Sequence, residues 1–235
     1  MPLKCFQVTL RTVVATTEVL KMTKEKTQGF SLKDKNCAVI GLGGLGTNVA
    51  VHLAGAGVGK LCLCDYDTVC EANLNRQFMY TAEDVGELKC RVMKKRLSQY
   101  SPEIEIRQSK TKIEDAAKLC FLEEYDMLFS CVDNNETRII LEDFCRENNI
   151  PLVHGGIDGF YGVAYLYVPS HSLTPSQAGL CEGNKAKYNI SAVAGVIGSL
   201  QASLGINFLL TADNSLSGRI LIFDENKTDT LNLNF

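Results

Sequence analysis

The sequence Gly41-Leu42-Gly43-Gly44-Leu45-Gly46 has the spacing G-x-G-x-x-G, directly after a short apolar run and directly before a helical pattern. Glycine there lets the backbone turn tightly and approach a phosphate. The helix that comes next presents unpaired N–H groups and a partial positive charge at its start. Asp65 ends the next apolar run, where a carboxylate accepts hydrogen bonds from ribose hydroxyls. Strand, glycines, helix and acid together point to a bound nucleotide, against the plainer reading of a glycine turn kept for close packing. The fingerprint taken by itself usually means NAD.

The residues after Asp65 bear on the choice of nucleotide. Residues 65–77 are a polar excursion off the carboxyl edge of the sheet, carrying Asp67 and delivering Asn73, Arg76 and Gln77 toward the phosphate end of the ligand. An NAD dehydrogenase holds its pyrophosphate with backbone amides and has no use for a fixed guanidinium there. Nucleotidyl transfer has one, because negative charge builds on the α-phosphate and on departing pyrophosphate. Lys89 opens the next helix and adds a second positive charge. Asp133-Asn134 comes after a later strand at the same edge, and the Asp133 carboxylate suits a magnesium ion bridging triphosphate oxygens. Singly, Arg76 reads as a surface charge, Lys89 as a helix residue and Asp133 as a turn or cap. Convergence on one edge makes them catalytic candidates.

The element pattern supplies a scaffold for them. Residues 37–41, 61–65, 126–132 and 151–155 are continuous apolar runs, as in parallel strands buried on both faces, with a shorter strand at 104–106. Helical patterns at 44–57, 87–100 and 136–148 alternate with them. The alternation predicts an α/β fold with a Rossmann-like doubly wound sheet, mostly parallel. After Gly159 come a strand at 161–168, a polar loop at 169–189 and an uncharged helix at 189–212. Strands at 219–223 and 230–234 around a turn at 224–227 read as antiparallel C-terminal strands. Residues 1–36 read as an N-terminal extension and 37–235 as the functional domain. A loop as long as 169–189 inside a compact domain is usually functional or mobile.

Composition sets the outer bounds. The 235 residues are 46% hydrophobic and 22% charged, with a net charge of −3, so neither a basic nucleic-acid footprint nor an acidic tail is present. The ten cysteines form no C-x-x-C pair. No charged-then-apolar leader opens the chain, and the cysteines read as reduced thiols of a cytoplasmic protein. The uncharged stretch at 189–212 contains Ser191, Ser199, Gln201, Ser203 and Asn207 and lacks a flanking Lys/Arg cluster. It reads as a buried helix rather than a membrane span.

The stretches GLGGLG, GVGKLCLCDYDTV, NLNRQF, VGELK and CVDN with the arginine after it resemble the ThiF/MoeB/HesA superfamily, the adenylyltransferases related to ubiquitin-activating enzyme. The resemblance runs from 37 to 151, and GVIGSLQA at 195–202 extends it; N-L-x-R-Q is far more specific than the glycine motif. It implies activation of the C-terminal Gly-Gly carboxylate of a small ubiquitin-like sulfur carrier, feeding thiamin, molybdopterin or related synthesis. ATP and magnesium are the implied cofactors and a homodimer the implied assembly. Gly41, Gly43, Gly44, Leu45 and Gly46 would surround the nucleotide with Asp67, Gln77 and Asn134, and Asp65 would bind ribose. Asn73, Arg76 and Lys89 would contact phosphates, and Asp133 would position magnesium. A peptide carboxylate is already ionised at neutral pH, so the attack needs no general base and rests on alignment and charge neutralisation.

The chain departs from the family pattern in places. Zinc-binding members carry two C-x-x-C pairs, whereas the loop here has only Cys181 and no cysteine comes after it, so no structural zinc is expected. Relatives insert an arginine from an R-Q motif upstream of the glycines into the partner subunit's site; residues 16–26 contain no arginine, and Arg11 alone precedes the fingerprint. Cys181 lies in the region where some members form a thioester or acyl-disulfide. The neighbouring Glu182 would raise its thiol pKa, and a bystander thiol is the alternative. His52 and His154 read as core or supporting groups, and Cys62 and Cys64, two apart in a strand, as packing. Three other readings stay open: the same chemistry on another acceptor, such as tRNA or a peptide; a nucleotide-binding subunit without turnover; and an NAD oxidoreductase, which Arg76, Lys89 and Asp133 disfavour.

Overall fold

The apolar runs become the middle of a sheet. The computed structural model describes residues 31–181 and 188–224, and the backbone of 227–232. Strands β1 (Asn36–Ile40), β2 (Lys60–Cys64), β3 (Glu105–Ser109), β4 (Met127–Ser130), β5 (Leu152–Asp158), β6 (Tyr161–Tyr167), β7 (Arg219–Asp224) and β8 (Lys227–Asn232) form one eight-stranded sheet in the order β3-β2-β1-β4-β5-β6-β7-β8. The first five pair in parallel. From β5 onward the pairing is antiparallel. The compact unit holding these elements spans Leu32–Phe235.

Successive strand residues face opposite sides, so a strand apolar throughout needs cover on both. Cys37, Val39, Leu61, Leu63, Met127 and Phe129 enter one apolar layer; Ala38, Ile40, Cys62, Cys64 and Leu128 enter the other. Helices α1 (Gly44–Ala56), α2 (Lys89–Tyr100) and α4 (Ser191–Thr211) cover the first face, through Val49 and Leu53, Met93 and Leu97, and Ile197 and Leu204. Helix α3 (Asn135–Glu147) covers the second with Leu141 and Phe144. The expected Rossmann-like, doubly wound α/β fold with an antiparallel end is the fold observed.

The differences have local causes. Strand β3 runs to Ser109 rather than ending at Ile106, because it is the sheet edge and its polar residues meet solvent. Strand β5 continues past Gly155 to Asp158, closing a hairpin with β6. A Cβ on Gly155 would lie 2.3 Å from Gln201 Cδ, so glycine is required where α4 presses its amide onto the strand. Strand β8 begins at Lys227, three residues before the expected start, and residues 233 and 234 of the expected strand lie outside the described residues.

Helix α4 is long and apolar enough to cross a membrane by length and composition. Here it packs on α1 and the sheet. Its Gln201 is fully buried, and Nε2 donates to Ser130 O at 3.1 Å and Val153 O at 3.3 Å. A buried amide with these partners fastens the helix across the ends of β4 and β5.

His154 on β5 is equally buried, and its Nε2 has no hydrogen-bond partner. Burial, reinforced by the Arg138 cation, pushes its pKa down from 6.5 to about 3. The unfolded chain therefore binds a proton between those values that the folded chain refuses, so stability is lost as pH falls below about 6.5. The cost reaches about 1.4 kcal/mol per pH unit. His154→Gln should flatten the fall in unfolding free energy between pH 6 and pH 4 in denaturant titrations; parallel pH slopes for variant and parent would contradict this.

Candidate nucleotide site

After β1 the chain turns to β2 on one side, while β4 lies on the other. Crossovers leaving in opposite directions open a crevice at the carboxyl ends of β1 and β4, the place where such sheets bind ligands. A cleft of about 840 Å³ occupies it. Its floor is the glycine turn. Gly41 has φ of +89°, and a Cβ there would lie 2.7 Å from Cys131 O. A Cβ on Gly46 would lie 1.8 Å from Gly41 O, so this glycine lets the first turn of α1 settle on the strand end. Gly41, Gly43, Gly44 and Leu45 line the cleft; Gly46 is set behind it as a packing residue.

Asp65 comes directly after β2 and is 8% exposed. Its Oδ2 accepts the Leu42 N–H at 2.6 Å and its Oδ1 the Asp67 N–H at 2.8 Å. One carboxylate thus joins the glycine turn to the polar segment. Burial raises its pKa, and the Lys89 charge is the largest opposing influence. Lys89, the first residue of α2, is buried and donates to Asp67 Oδ2 at 3.0 Å. Asp67 lines the cleft as the counter-ion that holds this ammonium in place.

The segment from Cys70 to Gln77 folds on itself. Asn73 Oδ1 accepts the Cys70 N–H at 3.2 Å, and Asn73 O accepts from Arg76 and Gln77 N–H at 3.1 and 3.0 Å. Asn73 therefore braces the turn that presents Arg76 and Gln77 to the cleft. Arg76 lines the cleft with Nη1 resting on Ala72 O at 2.8 Å and Asn75 Oδ1 at 2.9 Å. These exposed contacts are easily exchanged for a phosphate. Gln77 is 3% exposed, lines the same cleft, and its Oε1 is buried without a hydrogen-bond partner. A buried acceptor with no protein donor suits a site whose ligand brings hydroxyl or N–H groups.

Across the crevice, Asn134 caps α3 by accepting the Thr137 N–H at 2.8 Å. The cap is Asn134 rather than Asp133. Asp133 is exposed and lines the cleft. Among the described residues no cluster of three metal-ligating side chains occurs. One carboxylate at a cleft that admits phosphates nevertheless fits magnesium, which commonly takes one or two carboxylates plus substrate oxygens.

Cys181 is buried and lies beyond the cleft lining, next to Leu180, which is part of it. The first half of the long loop is docked on α3: the buried Glu142 carboxylate accepts the Ser176 N–H at 2.7 Å and the Ser176 hydroxyl. Burial first, and Glu142 second, push the Cys181 thiol up to about 11. It is protonated at neutral pH, the wrong state for a nucleophile. Glu182, the residue to which the sequence attributes such a shift, lies outside the described residues, as does the arginine-free stretch at 16–26.

Sequence reasoning gave no role to Arg138, which lines the cleft from α3. Its signal was present: a cation in the first turns of a helix opposes the helix dipole and calls for another reason to be there. Tyr66, Thr111 and Ile113 at the Asp65 end, and Tyr161 and Asn189 at the other, also line the cleft without having been singled out.

Comparison with known proteins agrees with this arrangement. The ThiF family profile matches residues 18–235. The chain is 34% identical over 199 residues to the sulfur carrier protein ThiS adenylyltransferase of Escherichia coli strain K12, covering 82% of this chain and 79% of that protein. It is 34% identical over 213 residues to adenylyltransferase and sulfurtransferase MOCS3 of Culex quinquefasciatus, covering 87% of this chain and 48% of that one. The chain thus spans about half the length of this last relative. Among solved structures, E. coli MccB with AMPCPP and selenomethionine MccA superposes with a TM-score of 0.76 at 24% identity, covering 86% of this chain and 64% of that one. That likeness speaks for the fold. The family profile, the sequence identity and the glycine turn joined through Asp65 to an N-L-x-R-Q segment lead to one statement: this chain belongs to the ThiF family.

Proposed function

We propose that this protein is an ATP-dependent adenylyltransferase. It activates the C-terminal carboxylate of a small ubiquitin-like sulfur carrier ending in Gly-Gly, for synthesis of thiamin, molybdopterin or a related sulfur-containing cofactor. The observation that carries the reading is the convergence of Arg76, Lys89 and Asp133 on the cleft that holds the glycine turn and Asp65. An NAD site has no need of that charge array. Family membership and relatives named as adenylyltransferases support the same chemistry.

The residues divide the labour. The glycine turn and the start of α1 receive phosphate oxygens, and Asp65 holds ribose while keeping its two backbone donors. Gln77 Oε1 offers a buried acceptor to the nucleotide. Arg76 leaves Ala72 and Asn75 for the phosphates, and Lys89 shares its charge between Asp67 and the same oxygens. Asp133 would hold magnesium, whose charge offsets that of the triphosphate. A carboxylate oxygen of the acceptor bonds to the α-phosphorus as the bridging P–O bond breaks, and its electron pair leaves with pyrophosphate. Charge neutralisation and alignment supply the rate.

All nine cysteines among the described residues are free thiols, which supports a cytoplasmic setting. A homodimer is part of the proposal, and zinc, membrane and nucleic acid have no role in it. A second reading keeps the chemistry and changes the acceptor to another peptide; a solved complex of MccB with AMPCPP and MccA, similar in fold, favours it as the runner-up.

Carrier-dependent exchange of labelled pyrophosphate into ATP is the direct test. The parent chain should exchange with a Gly-Gly-ending carrier, and Arg76→Ala should lower the rate by about two orders of magnitude or more, as expected for loss of a preorganised charge contact. ATP binding with no exchange for any carrier or peptide would leave a binding subunit without turnover. In the same assay Cys181→Ser should exchange at the parental rate, because a buried, protonated thiol takes no part in adenylation; a tenfold loss with normal folding would contradict that.

A further inference from the structure

Nucleotide binding gives no reason for Arg138 to stand in the first turns of α3, against the helix dipole. Its hydrogen bonds supply one. Helix side chains lean toward their own N-terminus, so an arginine one turn past the Asn134 cap reaches the chain that enters the helix. There its Nε and Nη2 donate to Val132 O at 3.3 and 3.1 Å, and its Nη1 to Asn135 Oδ1 at 3.4 Å. Two donors closing on one carbonyl make a clasp that needs the planar guanidinium fork. Burial draws the Arg138 pKa down, and Cys181, then Asp133 and Cys131, oppose that shift, so the cation lies within electrostatic reach of the Asp133 carboxylate.

The clasped carbonyl belongs to the turn that joins β4 to α3. On one side of Asp133 the Cys131 N–H donates to Ile40 O at 2.9 Å, and Arg138 holds Val132 O. On the other, Asn134 Oδ1 accepts the Thr137 N–H at 2.8 Å. Asp133 stands between these fixed points, exposed and in the cleft lining. With its backbone held on both sides, its carboxylate has only side-chain torsions left to search. The same turn presses on the glycines: a Cβ on Gly41 would lie 2.7 Å from Cys131 O and 3.2 Å from Val132 N. The place of Val132 therefore sets the place of Asp133 relative to the phosphate-binding glycines. Glu136 and Asp158 line the same cleft, but Glu136 lies inside α3 and Asp158 ends β5, outside the clasped turn.

We propose that Arg138 is a positioning residue for the divalent cation: its clasp on Val132 fixes the backbone from which the Asp133 carboxylate meets a magnesium ion carried by the triphosphate. This rests on the adenylation reading and deepens it by naming the residue that sets the metal's place. Groups that orient a metal ligand commonly matter to metal affinity nearly as much as the ligand does. In this role the guanidinium touches neither metal nor nucleotide, and it stays protonated throughout. The sign of its effect separates the clasp from the charge. As a bare charge Arg138 would repel the metal, and its removal would tighten metal binding. As a clasp, its removal loosens metal binding.

The test is a titration of the full chain, in excess over AMPCPP, with Mn2+ read by electron paramagnetic resonance; it requires no turnover. Arg138→Lys keeps the charge and loses the fork, and Arg138→Gln loses both. Each should weaken Mn2+ binding about tenfold, while AMPCPP affinity without metal stays at the parental value. In pyrophosphate exchange the magnesium concentration at half-maximal rate should rise in step, with excess magnesium restoring the rate. Parental Mn2+ affinity in Arg138→Lys would overturn the proposal, as would tighter binding in Arg138→Gln. A parallel loss of metal-free AMPCPP affinity would overturn it too, because the clasp would then support the whole cleft. Should Arg138→Gln not fold, Arg138→Lys decides by itself. Asp133→Asn separates the clasp from the reading beneath it and should weaken Mn2+ binding at least as much. No loss there would overturn the clasp together with the metal role of Asp133, pointing to Glu136 or Asp158 instead. A loss there with parental affinity in both Arg138 variants would overturn the clasp alone. The predicted metal effects in a chain that fails to exchange pyrophosphate would uphold the clasp and count against adenylation.

Discussion

The site depends on one buried carboxylate. Asp65 is tied at one oxygen to the glycine turn through the Leu42 N–H and at the other to the polar segment through the Asp67 N–H. A carboxylate this deep is tolerable only because both oxygens are satisfied and a cation is close by. Lys89 supplies the cation and is itself fixed by Asp67. The distance between the glycine turn and the segment bearing Arg76 is therefore set by short hydrogen bonds rather than by loop packing. Removing Asp65 would leave two backbone donors without their acceptor, and the glycine turn and the polar segment would lose register.

The remaining elements serve that geometry from a distance. Helix α4 crosses β4 and β5 and is pinned there by the Gln201 amide, which bonds to a carbonyl of each strand. Glu142 of α3 holds Ser176, which docks the first half of the long loop against the same edge. The molecule as a whole is slightly acidic, yet Arg76, Lys89 and Arg138 gather at one cleft. Asp65, Asp67, Asp133, Glu136 and Asp158 line the same cleft, so its three cations stand among carboxylates rather than alone.

Much of this was legible in the sequence, and for identifiable reasons. A strand buried on both faces writes itself as an unbroken apolar run, so β1, β2 and β4 were plain. Glycines that must approach phosphate or backbone stand at fixed spacing, so the turn was plain as well. Edge strand β3 was shortened because half of its residues face water and carry no apolar signal. Strand β5 was cut short because Gly155 yields to the Gln201 side chain, a contact between residues far apart in sequence. Which of Asp133 and Asn134 caps α3 could not be read from the sequence, since either residue type can fill an N-cap. Arg138 escaped for a different reason. It stands in the family pattern after CVDN, but its place in the cleft lining shows only once α3 packs on the sheet.

The central claim concerns where the two cations go when a triphosphate is present. A crystal structure of the chain with AMPCPP and magnesium addresses it most directly. The account predicts the Arg76 guanidinium released from Ala72 and Asn75 and, with Lys89 Nζ, within about 4 Å of phosphate oxygens over the glycine turn. Arg76 still resting on Ala72 while the nucleotide is bound, or a nicotinamide dinucleotide occupying the cleft in preference to AMPCPP, would contradict it.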